Sequence, residues 1–127
     1  MYPRLVIDIN KLRSNLDAVA HITKEEGNCS LMIVTKGLCA DKEMVQMVAQ
    51  HPSVDFVADS RVKNIKSYAE EVRKNGKKTV LLRIPMHDEV SEVVKYVDLS
   101  FNSELSTIRL LNEEAGKTGV IHNVLLM

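Results

Sequence analysis

Short apolar runs rich in β-branched residues alternate with helical stripes along the whole chain, and that alternation leaves few folds open. Leu31-Met32-Ile33-Val34-Thr35 is one such run, and residues 54–58 and 79–84 are two more. Between the runs, apolar residues recur at helical spacing: Met44, Val45, Val48 and Ala49, then Val62, Ile65, Ala69 and Val72. A repeated strand–helix order calls for parallel strands joined by right-handed crossovers. The strands are almost wholly apolar, as expected where a parallel sheet is covered on both faces.

The punctuation agrees with that frame. Residues 5–9 read as a first strand, and Asn10 as the N-cap of a helix whose stripe is Leu12, Leu16, Val19 and Ile22. Gly27-Asn28 ends it. Asp41 caps the next helix, with Glu43 in its first turn, and His51-Pro52 stops it. Asp59-Ser60 read as caps, and Asn75-Gly76 as a terminator. Pro85 closes the strand at 79–84. Asp88 opens a short helix carrying Val90, Val93, Val94 and Val97. Residues 98–101 form a brief strand. Asn102-Ser103 cap a helix with Leu105, Ile108, Leu111 and Ala115 buried, and residues 121–127 are a last strand. The fold class expected is α/β, a parallel (β/α) barrel of the TIM type. A closed barrel of eight units takes roughly 250 residues. The 127 residues are therefore expected to be one unit, 1–127, forming the N-terminal part of a longer protein.

Charge and cysteine usage narrow the function classes. Seventeen Lys+Arg balance seventeen Asp+Glu, which argues against a nucleic-acid or membrane-surface partner, since those surfaces need a basic excess. The start Met1-Tyr2-Pro3-Arg4 lacks a signal-peptide pattern, and no apolar run approaches the ~18 residues that span a bilayer. Cys29 and Cys39 make neither a disulfide framework nor a zinc spacing. A cytoplasmic protein with reduced thiols is expected. His21, His51, His87 and His122 are scattered, so no metal site is expected. Gly-rich nucleotide loops and a Gly-x-Ser-x-Gly elbow are absent.

One residue stands out for chemistry. Lys36 closes the run at 31–35 and is followed at once by Gly37, which places an amine at the carboxyl end of a parallel strand, where α/β folds keep their sites. An apolar setting disfavours an ammonium and suits a lysine to Schiff-base chemistry with an aldehyde. The plainer alternative is a rim lysine bonded to nearby carbonyls. Cys39 is either a thiol facing the same opening or a small packed residue. Arg83 either binds an anion at the rim or pairs with Asp59 or Asp88. Helix capping accounts for Asp59 and Ser60 without any ligand.

The segment Ile7-Asp8-Ile9-Asn10-Lys11-Leu12 with Asn15, followed by Val34-Thr35-Lys36, resembles the opening of the alanine racemase family. Ala58-Asp59-Ser60-Arg61, residues 81–86 and Asn102-Ser103-Glu104-Leu105 are similar to its ornithine racemase branch. The resemblance implies a (β/α)8 barrel followed by a β-rich domain, and pyridoxal phosphate held by Lys36 as a Schiff base. It implies amino-acid racemisation, with Lys36 moving the proton on one face. On the other face a tyrosine acts, which in alanine racemases comes from the partner subunit of a homodimer. The resemblance carries no family role over to Arg83, which is expected to bind the cofactor only as a cation at the rim. Alanine racemases follow the lysine with a tyrosine and a Gly-His-Gly segment; Gly37-Leu38-Cys39-Ala40-Asp41 has neither, which favours a substrate other than alanine, such as ornithine or another diamino acid. The 127 residues alone are expected to have little activity. Two alternatives stay open: a non-catalytic pyridoxal-phosphate carrier of the same barrel family, or a small α/β binding domain.

Overall fold

Asp8 decides how the chain enters its first helix. In the computed structural model, which describes residues 2–127, its carboxylate accepts from the backbone N–H of Asn10 and of Lys11, both at 3.1 Å. It is thus the N-cap of α1 (Ile9–Ala20). The strand expected at 5–9 does not form, and the cap lies two residues before the expected Asn10. Leu5 and Val6 are exposed, and no neighbouring strand among the described residues is there to bond them. α1 runs on into a wider π-helical stretch, His21–Glu26. Gly27 ends it, where a Cβ would come within 2.9 Å of the Thr23 carbonyl oxygen. Only Leu16 and Ala20 of α1 are fully buried; Val19 and Ile22, expected on the buried stripe, are exposed. Val19 lines a depression with Ile33 and Val34 of β1 (Met32–Val34), the strand with no further strand on its outer side.

The sheet is β1, β2 (Phe56–Asp59), β3 (Lys78–Leu81), β4 (Leu99–Asn102) and β5 (Asn123–Leu126), all parallel and paired in chain order. Between the strands lie α2 (Lys42–Gln50), α3 (Val62–Lys74), α4 (Val90–Tyr96) and α5 (Leu105–Thr118). Each helix packs on the next in sequence, from α1 through α5. A doubly wound sheet would reverse its strand order partway. A sheet that never reverses, with its helices in one continuous layer, is a segment of a (β/α) barrel.

Register explains the burial. Ile33, Val57 and Leu81 belong to the core formed with the helices, along with Ile65 and Val72 of α3, Val93 of α4 and Leu111 of α5. The alternate positions Val34, Ala58 and Val80 lie side by side on the other face. The stripes of α2, α3 and α4 are buried as expected. α5 is rotated from expectation: Thr107, Leu111 and Ala115 are buried, whereas Leu105 is 61% exposed.

Strand lengths differ for a local reason. β2 ends at Asp59, so β3 keeps a ladder partner only as far as Leu81, after which the Leu82 N–H donates to the Asp59 carbonyl at 3.1 Å. Leu82 to Ile84 therefore leave the strand expected at 79–84. Asp98 lies just outside β4, where it accepts from the backbone N–H and the hydroxyl of Thr79 at 2.8 and 2.9 Å. Asn102 is a buried strand residue and not a cap. Ile65 has no exposed surface, so Ile65→Ala should cost about 3 kcal/mol through lost burial and a cavity. Leu105→Ala should stay within about 0.5 kcal/mol. Urea midpoints of the two variants check this contrast.

Candidate active site

The carboxyl ends of β1, β2 and β3 meet in one polar knot, and Lys36 stands beside it. β1 gives way to a single 3₁₀ turn, Lys36–Leu38, entered through Thr35. Thr35 is wholly buried. Its N–H donates to the Ala58 carbonyl at 2.9 Å, which extends the β1–β2 ladder. Its carbonyl accepts from the N–H of Leu38 at 3.2 Å and of Ala40 at 3.1 Å. Its hydroxyl donates to Asp59 Oδ2 at 2.7 Å.

Asp59 is also wholly buried. Besides the Thr35 hydroxyl it accepts from the Arg61 N–H at 2.9 Å and from the Asn64 side-chain amide at 3.1 Å. Both oxygens are used, which a carboxylate can do and an amide cannot. The cap position of α3 falls on Arg61 and carries no side-chain bond, so Asp59 and Ser60 are not the caps expected of them. Tyr68 of α3 closes the knot from the helix side, its hydroxyl 3.4 Å from Thr35 Oγ1. Burial first, and the nearby Asp59 charge, push the phenol well above its ordinary range, against the opposing Thr35 bond.

Lys36 itself is exposed. The apolar enclosure expected of its strand is not supplied by the described residues, because Thr35 is buried but Val34 before it is itself exposed. Among the described residues its amine makes no ion pair and no hydrogen bond. Cys39 is exposed too, and unpaired, so it is not the small packed residue expected. Cys39 and Ala40 both take left-handed backbone, with φ of 51° and 57°, and return the chain to Asp41, which caps α2 through the Met44 N–H at 3.1 Å.

Arg83 lies two strands away from Lys36, about 10 Å at ordinary strand spacing. Each of its nitrogens is engaged: Nε donates to the Ser60 carbonyl at 2.7 Å, Nη1 to the Ile84 carbonyl at 3.1 Å, and Nη2 to Glu89 at 2.8 Å. Its acidic partner is Glu89, not Asp59 or Asp88, because the short turn His87–Glu89 folds back toward the strand end. The structure thus gathers Thr35, Lys36 and Asp59 closely and sets Arg83 on the rim as a loop fastener.

A second buried cluster lies on β4. Asn102 donates to Ser100 Oγ at 3.0 Å, and Ser100 Oγ meets His122 Nε2 at 2.7 Å. Burial lowers the His122 pKa below its ordinary value. Among the described residues no group of three or more His, Cys, Asp or Glu could hold a metal ion, and no helix is long and apolar enough to cross a membrane.

Tyr68 and Asn64 escaped the sequence reading. The available signal was a phenol on the buried stripe of α3, three residues after Ile65, since a buried tyrosine hydroxyl needs a partner.

A singly wound parallel layer with a lysine turn at the carboxyl end of its first strand places the chain in the (β/α) barrel class. The chain belongs to the alanine racemase N-terminal domain family, which it matches over residues 7–127. It is 42% identical, over all 127 of its residues, to an ornithine racemase of Acetoanaerobium sticklandii. The match covers 34% of that protein, so the chain spans about a third of the length of the curated relative.

The Arg83–Glu89 pair gives a pH test. The Arg83 bond and charge hold the Glu89 carboxyl below its ordinary 4.5, against a desolvation that raises it. The unfolded chain then binds more protons in the interval between the two pKa values, so stability rises with pH across it. The stabilisation, about 1 kcal/mol for a pair of this exposure, is full above pH 4.5 and is lost as pH falls through the depressed value. Glu89→Gln should lack this step, as read from urea midpoints taken down the acid range.

Proposed function

We propose that this chain is the cofactor-holding part of a pyridoxal-phosphate-dependent amino-acid racemase, and that Lys36 is the residue that carries the cofactor. Membership of the family supports the cofactor class. The observation that carries the residue assignment is the position of Lys36: an exposed primary amine on the turn after the first barrel strand. Among the described residues no carboxylate engages it, so its donor chemistry fits a carbonyl-bearing group. When bound, pyridoxal phosphate supplies an aldehyde for covalent attachment and a ring that withdraws electrons from the substrate Cα.

The residues of the chain have three tasks in this reading. Lys36 holds the cofactor through Nζ and moves a proton at Cα on one face of the substrate. Thr35 and Asp59 fix the turn that bears Lys36. Arg83, committed to Ser60, Ile84 and Glu89, keeps the loops after β2 and β3 in register at the rim and is not read as a direct phosphate ligand. The identity with an ornithine racemase favours ornithine or a related diamino acid as substrate; a homodimeric parent protein is part of the same proposal.

The test is borohydride reduction of the full-length protein in the presence of pyridoxal phosphate, followed by peptide mass mapping. A pyridoxyl increment is expected on the Lys36 peptide. Lys36→Ala should abolish it and lower racemisation of ornithine by at least about a thousandfold. Label on another lysine, or full racemisation by Lys36→Ala, would overturn the assignment.

A further inference from the structure

Lys36 is loose at its tip and fastened at its root. Its amine has no partner among the described residues, whereas the preceding peptide is held on every side. Thr35 commits its N–H to β2, its carbonyl to the turn, and its hydroxyl to Asp59. Asp59 commits one oxygen to Arg61 and the other to Thr35 and Asn64, while its carbonyl takes the Leu82 N–H of the next loop. The lysine turn is thus tied to β2 by the Thr35 N–H on the Ala58 carbonyl, and its side-chain tie to the residue that also holds the β3 loop and α3 is one hydroxyl–carboxylate bond of 2.7 Å.

The sheet carries a second pair of the same chemistry. The Thr79 hydroxyl donates to Asp98 Oδ2 at 2.9 Å. That pair joins the start of β3 to the residue before β4, at the amino ends of the strands and away from Lys36. Arg73 also reaches Asp98, at 2.9 Å, so the amino-end carboxylate has a cation. Among the described residues Asp59 has none within ion-pair distance and is met by neutral donors alone. The two pairs resemble each other in what they do for the sheet and differ in what they stand next to.

We propose that the buried Thr35–Asp59 pair is a positioning device that holds the Lys36 turn in the orientation needed for cofactor attachment. This rests on the reading of Lys36 as the cofactor lysine. Neither residue is exposed enough to touch substrate; both act through the backbone of Lys36. Covalent attachment demands a near-attack geometry, and small displacements of the attacking amine lower its rate steeply. Loss of the Thr35 hydroxyl leaves an acceptor of Asp59 short of a donor in a buried site, which drives local rearrangement at the root of the lysine.

The test uses the full-length protein, the borohydride labelling of Lys36 by pyridoxal phosphate, and thermal unfolding to correct for the folded fraction. Thr35→Val should lower the labelling rate about tenfold. Thr35→Ser, which keeps the hydroxyl, should stay within about twofold of wild type. Thr79→Val removes the matching hydroxyl at the amino ends and should leave labelling of the folded fraction unchanged. Asn64→Ala loosens Asp59 from a half-buried helix position and should lower labelling about threefold, which keeps the test open if Thr35→Val folds poorly. Labelling by Thr35→Val or Asn64→Ala equal to wild type, or an equal loss in Thr79→Val, overturns the positioning role. Wild-type protein unlabelled at Lys36 overturns the cofactor reading and this role with it, an outcome distinct from undiminished labelling in the variants.

Discussion

A carboxylate withdrawn from water has to be met by donors, and Asp59 shows what meeting it does for a sheet. Burial of an unpaired charge is among the most destabilising events a fold can contain. Asp59 avoids that by gathering a threonine hydroxyl from the end of β1, a backbone N–H from its own loop and an amide from α3. Its carbonyl binds the end of β3. Three strand ends and one helix start are thereby held to one residue. Short strands of three or four residues have few ladder bonds of their own, so ties of this kind at the strand ends carry much of the relative placement of the loops.

Much of the architecture was legible in the sequence because parallel strands covered by helices leave an unmixed signal. The stripes of α2, α3 and α4 follow from apolar spacing, since each of these helices faces the sheet along its length. The misses lie where that condition fails. Residues 5–9 have strand-like composition but no strand beside them, so Asp8 turns the chain into a helix. Val19 and Ile22 keep helical spacing, yet both are exposed, and Val19 faces the flank of β1 that has no further strand. Leu105 looked like core because Leu111 and Ala115 follow at helical spacing; the stripe instead takes Thr107, and Leu105 faces solvent.

The site was legible to a different depth. Lys36 stands out by its place at the end of an apolar run, and the structure has it on the first turn after β1, exposed and without the apolar surround expected of it. Its surroundings were not legible. A threonine, an aspartate, an asparagine and a tyrosine spread over residues 35–68 give no local spacing signal, because parallel β–α units bring them together only after a full crossover. Asp59 was read as a helix cap since Asp before a helix usually is one. In the fold a stronger demand, the bonding of a buried threonine hydroxyl across the strand ends, takes the carboxylate instead.

The turn after Lys36 shows how these ties bear on conformation. Cys39 and Ala40 occupy left-handed backbone, which costs about 1–2 kcal/mol for each residue with a Cβ. Glycine at either position would relieve most of that, and neither is glycine. The turn persists because four backbone bonds close it: Leu38 and Ala40 to the Thr35 carbonyl, Cys39 to that of Lys36, and Asp41 to that of Leu38, at 3.1 to 3.3 Å. Two of these four end on Thr35. Thr35 can serve as a fixed acceptor only while its own hydroxyl and N–H are held by Asp59 and Ala58. The strained return loop and the lysine turn therefore share one anchor. Any displacement of that anchor releases strain in the loop and moves Lys36 at the same time, which ties the conformation of residues 36–40 to a bond made between two side chains that solvent never reaches.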